Sequence, residues 1–217
     1  MQLEVSDLSV ARGGLVVLEG LNFSLASGRA LVLRGANGIG KTTLLRTIAG
    51  LQPAVSGVIS AAPESLAYAS HADGLKAALS ARENLAFWAA IYGFGPDRVD
   101  MALEALQLTS LATRRAAHLS AGQKRRLGLA RMLVTGRPVW LFDEPTVSLD
   151  AAAVALFAGV LRDHFARGGS ALIATHIDLG LPEAGTLDLT PWRAGRGAGQ
   201  AVRAAAAFTD PFAEPLS

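Results

Sequence analysis

The segment Gly35-Ala36-Asn37-Gly38-Ile39-Gly40-Lys41-Thr42 constrains this chain more than any other eight residues in it. It has the spacing G-x-x-x-x-G-K-[ST], which a chain of this length carries by chance about 1% of the time. Successive backbone N–H groups wrap a polyphosphate, and Gly35, Gly38 and Gly40 let the main chain come close and take positive φ. A helical pattern starts at Lys41 and runs to about Gly50, so its N-terminus faces the phosphates. Lys41 brings a mobile charge to the β- and γ-phosphates and Thr42 a hydroxyl for Mg²⁺, with Asn37 and Thr43 completing the cradle. The apolar run Ala30–Leu33 directly before the loop reads as a buried strand, so the loop joins a strand to a helix.

The flanking pattern extends this arrangement. Residues 2–10 and 15–25 alternate around the turn at Gly13-Gly14 and read as antiparallel strands; residues 53–65 read as loop and edge strand. From about Leu79 to Leu133 the pattern is helical, with a capping-box spacing at Ser80 and Glu83. Val139–Phe142 and Ala171–Thr175 are further buried strands, separated by a helical stretch from Ala151 to Arg167. Strands alternating with helices predict an α/β fold: a P-loop NTPase with a parallel-sheet core, an N-terminal antiparallel β subdomain and a helical subdomain at about 72–135. Functional groups then belong at the carboxyl ends of the strands. We expect one domain over 1–190, with 191–217 a disordered C-terminal tail.

Composition narrows the partners. There is no cysteine, which removes disulfides and thiolate metal sites, and the net charge is +2. Arg114-Arg115 and Lys124-Arg125-Arg126 are the only tight basic clusters, too few to argue for nucleic acid. Mean hydropathy is high at +0.34. The best apolar stretch, Leu85–Tyr92, is far short of the roughly 20 residues of a membrane helix. The N-terminus lacks a signal-peptide layout. The hydropathy reflects either abundant alanine or an apolar docking surface.

Val139-Trp140-Leu141-Phe142 runs into Asp143-Glu144. A strand ending there sets Asp143 beside the phosphate loop, able to hold Mg²⁺ through water, and Glu144 one residue on, suited to orienting or deprotonating an attacking water. Between loop and acids lies Leu119-Ser120-Ala121-Gly122-Gln123. It closely resembles the L-S-G-G-Q signature of ATP-binding cassette proteins, with alanine at 121. Ser120 suits a helix N-cap and Gln123 the first turn after it.

Further segments follow in the family's order: Ser148-Leu149-Asp150 resembles the D-loop, and Thr175-His176 the switch histidine. The resemblance covers roughly residues 3–190. It implies ATP and Mg²⁺ as ligands, Glu144 and His176 as catalytic residues, and a head-to-tail dimer. In that dimer Ser120, Gly122 and Gln123 close on the other subunit's γ-phosphate and Asp150 lies at the contact. It further implies integral membrane partners, with Leu85–Tyr92 in the region that lines the groove for a coupling helix.

Two positions depart from the family. The aromatic residue that stacks on adenine is replaced by Arg12, whose guanidinium can also stack. Counting back from Glu83-Asn84-Leu85 to the Q-loop glutamine lands on His71. Histidine there would hydrogen-bond in the same place and add sensitivity to pH; alternatively the relay works without the glutamine.

The compact length, the Ser-His at the Q-loop, Leu-Ser-Ala-Gly-Gln followed by Lys-Arg-Arg, and the ending after Leu187-Asp188-Leu189-Thr190 resemble the haem exporter ATP-binding subunit of bacterial cytochrome c maturation. This implies a peripheral subunit at the cytoplasmic face of the inner membrane, partnered by haem exporter membrane proteins, with no haem ligand assigned in this chain. A cassette for another solute, a regulatory cassette without a transporter, and a P-loop kinase or GTPase are the other readings. The last leaves the signature unexplained.

Overall fold

A computed structural model describes residues 2–195. The antiparallel subdomain is β1 (Leu3–Arg12), β2 (Leu15–Leu25) and β4 (Ser56–Ala61), in the order β2-β1-β4. β1 and β2 close a hairpin at Gly13-Gly14 with Arg12 opposite Leu15, and their register shifts three times along the pairing. These irregularities re-aim the strands so that Leu3, Val5, Leu8 and Val10 all reach the core despite the slipped alternation.

The second sheet is wholly parallel. Its order is β5 (Leu66–Ala69), β6 (Val139–Asp143), β7 (Ser170–Ala174), β3 (Ala30–Arg34) and β8 (Gly185–Asp188). β6 and β7 are buried at every position, as a sheet covered on both faces requires. Alternate residues enter different cores. Trp140 and Phe142 join a cluster formed with α4 (Ala121–Val134) and α5 (Ala151–Ala166). Val139 and Leu141 join a second, formed with the antiparallel subdomain and α1 (Lys41–Ile48). Phe142 is fully buried and meets Trp140 and Phe157 edge-on at 5.9 and 5.1 Å. Truncating such a ring costs about 3–5 kcal/mol.

The helical stretch divides into α2 (Ala81–Ile91), α3 (Pro96–Ala105) and α4, with short 3-10 turns at Thr109–Leu111 and Ala116–His118. Ser80 and Glu83 form the capping box that the spacing predicts. Pro96 opens α3, where its missing N–H costs nothing. No helix among the described residues is long and apolar enough to cross a membrane.

The expected boundary at residue 190 falls short of the packed chain. Thr190–Trp192 is a 3-10 turn with Trp192 only 3% exposed, Arg193 pairs with Leu18, and Ala194 donates to the Val17 carbonyl. These residues cover the open edge of β2. The remainder of the expected tail, 196–217, lies outside the described residues.

Candidate nucleotide site

The carboxyl ends of β3, β6 and β7 converge on one spot. The loop after β3 runs through Gly35 to Gly40 and leads straight into α1, whose N-cap is Gly40. Gly40 has φ 121, and a Cβ there would lie 3.1 Å from the side chains of Leu18 and Val17. The dihedral calls for glycine, and a side chain there would also crowd Leu18 and Val17.

Lys41 Nζ donates to the Gly35 carbonyl at 2.9 Å and lies 3.1 Å from His176 Nε2. The ammonium is folded back over its own loop, in reach of the space that loop encloses. Burial lowers its pKa from the usual lysine value, against the opposing pull of Glu144 and Asp143. Thr42 Oγ1 donates to Asp143 Oδ1 at 3.0 Å, and the Tyr68 hydroxyl donates to Asp143 Oδ2 at 3.3 Å. Burial, then the Asp143 charge, pushes the Tyr68 phenol up to about 12. Thr43 is buried on α1 one residue further on, and Asn37 is exposed on the loop.

Glu144 has φ 49, the left-handed region, which a non-glycine residue enters only when its surroundings hold it there. Its N–H donates to the Ala174 carbonyl at 2.8 Å, tying the acidic turn to the end of β7. Thr146 and Thr175 hydroxyls meet at 3.2 Å in the buried space behind it. His176 Nε2 lies 3.6 Å from Glu144 Oε1. Lys41, Thr42, Asp143, Glu144 and His176, five of the residues the sequence singles out, thus form one constellation.

The signature segment lies apart from it. Ser120 caps α4 by accepting from the Gln123 N–H, while the Gln123 side chain accepts from the Ser120 N–H. Gly122 is held against the loop after Glu144: a Cβ there would lie 3.1 Å from the Ser148 carbonyl oxygen. Asp150 caps α5 through the Ala153 N–H. Ser120, Gly122, Gln123, Ser148 and Asp150 border one groove of about 350 Å³ that includes no phosphate-loop residue.

A family profile described as ABC transporter matches residues 18–147, from within β2 to just past the acidic turn. The chain belongs to the ABC transporter family. This ABC ATPase binds and hydrolyses ATP, and several relatives of high identity narrow the branch. It is 67% identical over 199 residues to the cytochrome c biogenesis ATP-binding export protein CcmA of Cereibacter sphaeroides, covering 92% of this chain and 94% of that one. It is 69% identical over 192 residues to the protein of the same name from Paracoccus denitrificans, covering 88% and 90%. A solved structure of the ATP-binding subunit of an ABC transporter superposes with a TM-score of 0.79 at 28% identity, covering 87% of this chain and 86% of the other. A putative ABC transporter ATP-binding protein from Pyrococcus furiosus shares the fold at the same TM-score of 0.79.

Two predicted residues stand differently in this ABC ATPase. Arg12 is exposed at the end of β1. His71 is also exposed, and among the described residues its side chain makes no hydrogen bond; what is engaged there is its carbonyl, which accepts from Arg125. Sequence reasoning missed three residues around the phosphate loop and acidic turn. Tyr68 sits on a strand too short and alanine-rich to stand out. Arg193 lines, with Val17, Asn37 and Ile39, a cleft of about 390 Å³ beside the phosphate loop. Arg125 lies in a basic run that reads as a surface cluster and is buried.

Proposed function

We propose that this chain is the ATP-hydrolysing subunit of a haem-export complex serving bacterial cytochrome c maturation, held against the cytoplasmic face of the inner membrane by integral membrane partners. The observation that carries this reading is the 67–69% identity, over about nine tenths of the chain, to cytochrome c biogenesis ATP-binding export proteins. No haem ligand is assigned in this chain, and no metal-binding cluster of His, Cys, Asp or Glu occurs among the described residues.

ATP enters over Gly35–Gly40, and Lys41 exchanges the Gly35 carbonyl for phosphate oxygens. Arg12 stacks on adenine in place of the family's aromatic residue. The Thr42 hydroxyl and Asp143 carboxylate are hard oxygen donors 3.0 Å apart, a pair that fits Mg²⁺ held by Thr42 directly and by Asp143 through water. When bound, Mg²⁺ neutralises charge on the β- and γ-phosphate oxygens. Glu144 orients the attacking water and accepts its proton, and His176, within reach of both Glu144 and Lys41, positions the pair. The bond from water oxygen to the γ-phosphorus forms as the bridging bond to the β-phosphate breaks.

In one chain the capped start of α4 is a second anion site with no phosphate to hold. Two chains closing head-to-tail bring Ser120, Gly122 and Gln123 to the partner subunit's γ-phosphate, with Asp150 at the contact. A separate cleft of about 250 Å³, lined by Leu51, Tyr68, Trp88, Tyr92 and Arg131, supports docking of a membrane partner. Phe87 and Ile91 stand 41% and 57% exposed on α2, the helix that supplies Trp88 to that cleft.

The test is Lys41→Ala in the native organism. With the variant protein accumulating normally, we expect covalently bound haem to vanish from the c-type cytochromes and to return with the wild-type gene. An unchanged haem stain would sink the cytochrome c reading.

A further inference from the structure

The side chain of Arg125 is the most heavily engaged cation among the described residues, and none of the steps above uses it. It sits in the second turn of α4, five residues beyond the Ser120 cap, and is only 4% exposed. Nε donates to the Pro145 carbonyl at 2.8 Å, and Nη2 to the carbonyls of Glu144 at 2.6 Å and Asp143 at 3.4 Å. Three consecutive carbonyls of the acidic turn therefore face one guanidinium. Nη1 points the other way, donating to the Ser70 and His71 carbonyls at 3.1 and 3.2 Å and to Asp73 Oδ1 at 3.1 Å.

The face of α4 around Arg125 is shaped for that second set of partners. Three residues on, a Cβ at Gly128 would lie 3.1 Å from the Asp73 side chain, so the absence of one lets the loop lie against the helix. Three further on, Arg131 donates to the Tyr68 carbonyl at 3.2 Å. Positions 125, 128 and 131 share one helical face, and together they seat the chain from Tyr68 to Asp73.

We propose that Arg125 is the positioning residue for Glu144. Its planar fork joins the helix that begins at the signature, the loop after β5 and the acidic turn into one rigid unit. The left-handed backbone of Glu144 needs an external brace, and the Arg125 fork is bonded to that residue's own carbonyl. The same fork holds the loop at the position where the family's glutamine is missing, so the main chain of Ser70 and His71, rather than a glutamine side chain, carries movement of that loop to the acidic turn. Lysine cannot replace it, because an ammonium has three donors at one point and no planar fork. The inference rests on Glu144 being the residue that orients the water.

The test uses the full chain, reading steady-state ATP hydrolysis, nucleotide affinity and melting temperature for Arg125→Gln and Arg125→Lys, with and without Glu144→Gln. Displacing a catalytic group by about an ångström costs on the order of 10²-fold, so kcat should fall by about that factor while KM and nucleotide affinity stay within about threefold. Because Arg125 acts through Glu144, adding Arg125→Gln to Glu144→Gln should change the residual single-turnover rate by less than about twofold. A folded Arg125 variant with wild-type kcat, or losses that multiply in the double variant, would overturn the proposal. If neither Arg125 variant folds, Asp73→Asn decides it: loosening one charged anchor should lower kcat roughly fivefold at constant KM, and an unchanged kcat overturns the proposal. Glu144→Gln that hydrolyses ATP normally removes the Glu144 assignment itself. An inactive Glu144→Gln beside a fully active Arg125→Gln removes only the arginine's role.

Discussion

Because the fold holds His164 neutral, this protein should lose stability as pH falls from about 6.5 to about 4. The ring lies in the last turn of α5, stacked on Trp140 at 3.6 Å and 6°, with Nε2 3.1 Å from the Pro138 carbonyl. Gly169 presses on it from the other side; a Cβ there would come within 2.2 Å of the ring. Burial pushes the His164 pKa down from 6.5 to about 4. Above pH 6.5 the ring is neutral in the folded and unfolded chain alike, and its contribution to stability is fully present. As pH falls the unfolded chain takes up the proton first, so that contribution is lost between 6.5 and about 4. At about 1.4 kcal/mol per pH unit the full loss is roughly 3 kcal/mol, of which about 2 kcal/mol has gone by pH 5. For a chain of this size that corresponds to a fall in Tm of roughly 6–12 °C over the whole range. The assay is urea or thermal unfolding from pH 8 to 4.5, comparing wild type with His164→Gln, which can still donate to Pro138 and does not titrate. We expect the variant to be less stable at pH 8 and the gap to shrink as pH falls. Two stability curves that stay parallel between pH 7 and 5 would refute the reasoning.

Glu144→Gln should bind ATP, hydrolyse at least about 10²-fold more slowly, and run as a dimer on size exclusion with ATP; a monomer with normal turnover would remove the catalytic assignment. Gly40→Ala should lower ATP affinity by about tenfold or more, because alanine avoids that backbone region and its methyl crowds Leu18 and Val17; a fluorescent nucleotide titration reads it. Asn84→Ala should cost about 1–3 kcal/mol in denaturant unfolding. That buried side chain accepts from the Lys76 N–H, which loses its partner, and donates to the Lys76, Leu79 and Ser80 carbonyls, each of which keeps a main-chain donor.

Much of this site could be read from the sequence because its chemistry is local. The phosphate loop, the Ser120 and Ser80 caps and the strand running into Asp143-Glu144 each depend on residues within a few positions of one another. β5 and β8 could not be read so directly. Leu66-Ala67-Tyr68-Ala69 and Gly185–Asp188 are four residues each, poor in β-branched side chains, and become strands because the edges of β6 and β3 are open to them. Arg125 was hidden for a related reason. All but one of its partners are main-chain carbonyls, some 20 and 55 residues away, and a carbonyl leaves no mark in a sequence. Trp192 fell beyond the expected boundary because the alanine- and glycine-rich run around it masks one buried ring.

The parallel sheet serves two cores that share almost nothing but its backbone. Along β6 the side chains are dealt alternately, Val139 and Leu141 to the α1 side and Trp140 and Phe142 to the α4 and α5 side. A strand dealt this way carries two independent messages in one stretch of chain. A substitution at Trp140 or Phe142 disturbs the packing of α4 and α5, and one at Val139 or Leu141 the packing against α1 and the antiparallel subdomain, with only the ribbon between them in common. The Asp143-Glu144 turn, at the end of that ribbon, is where both messages are read.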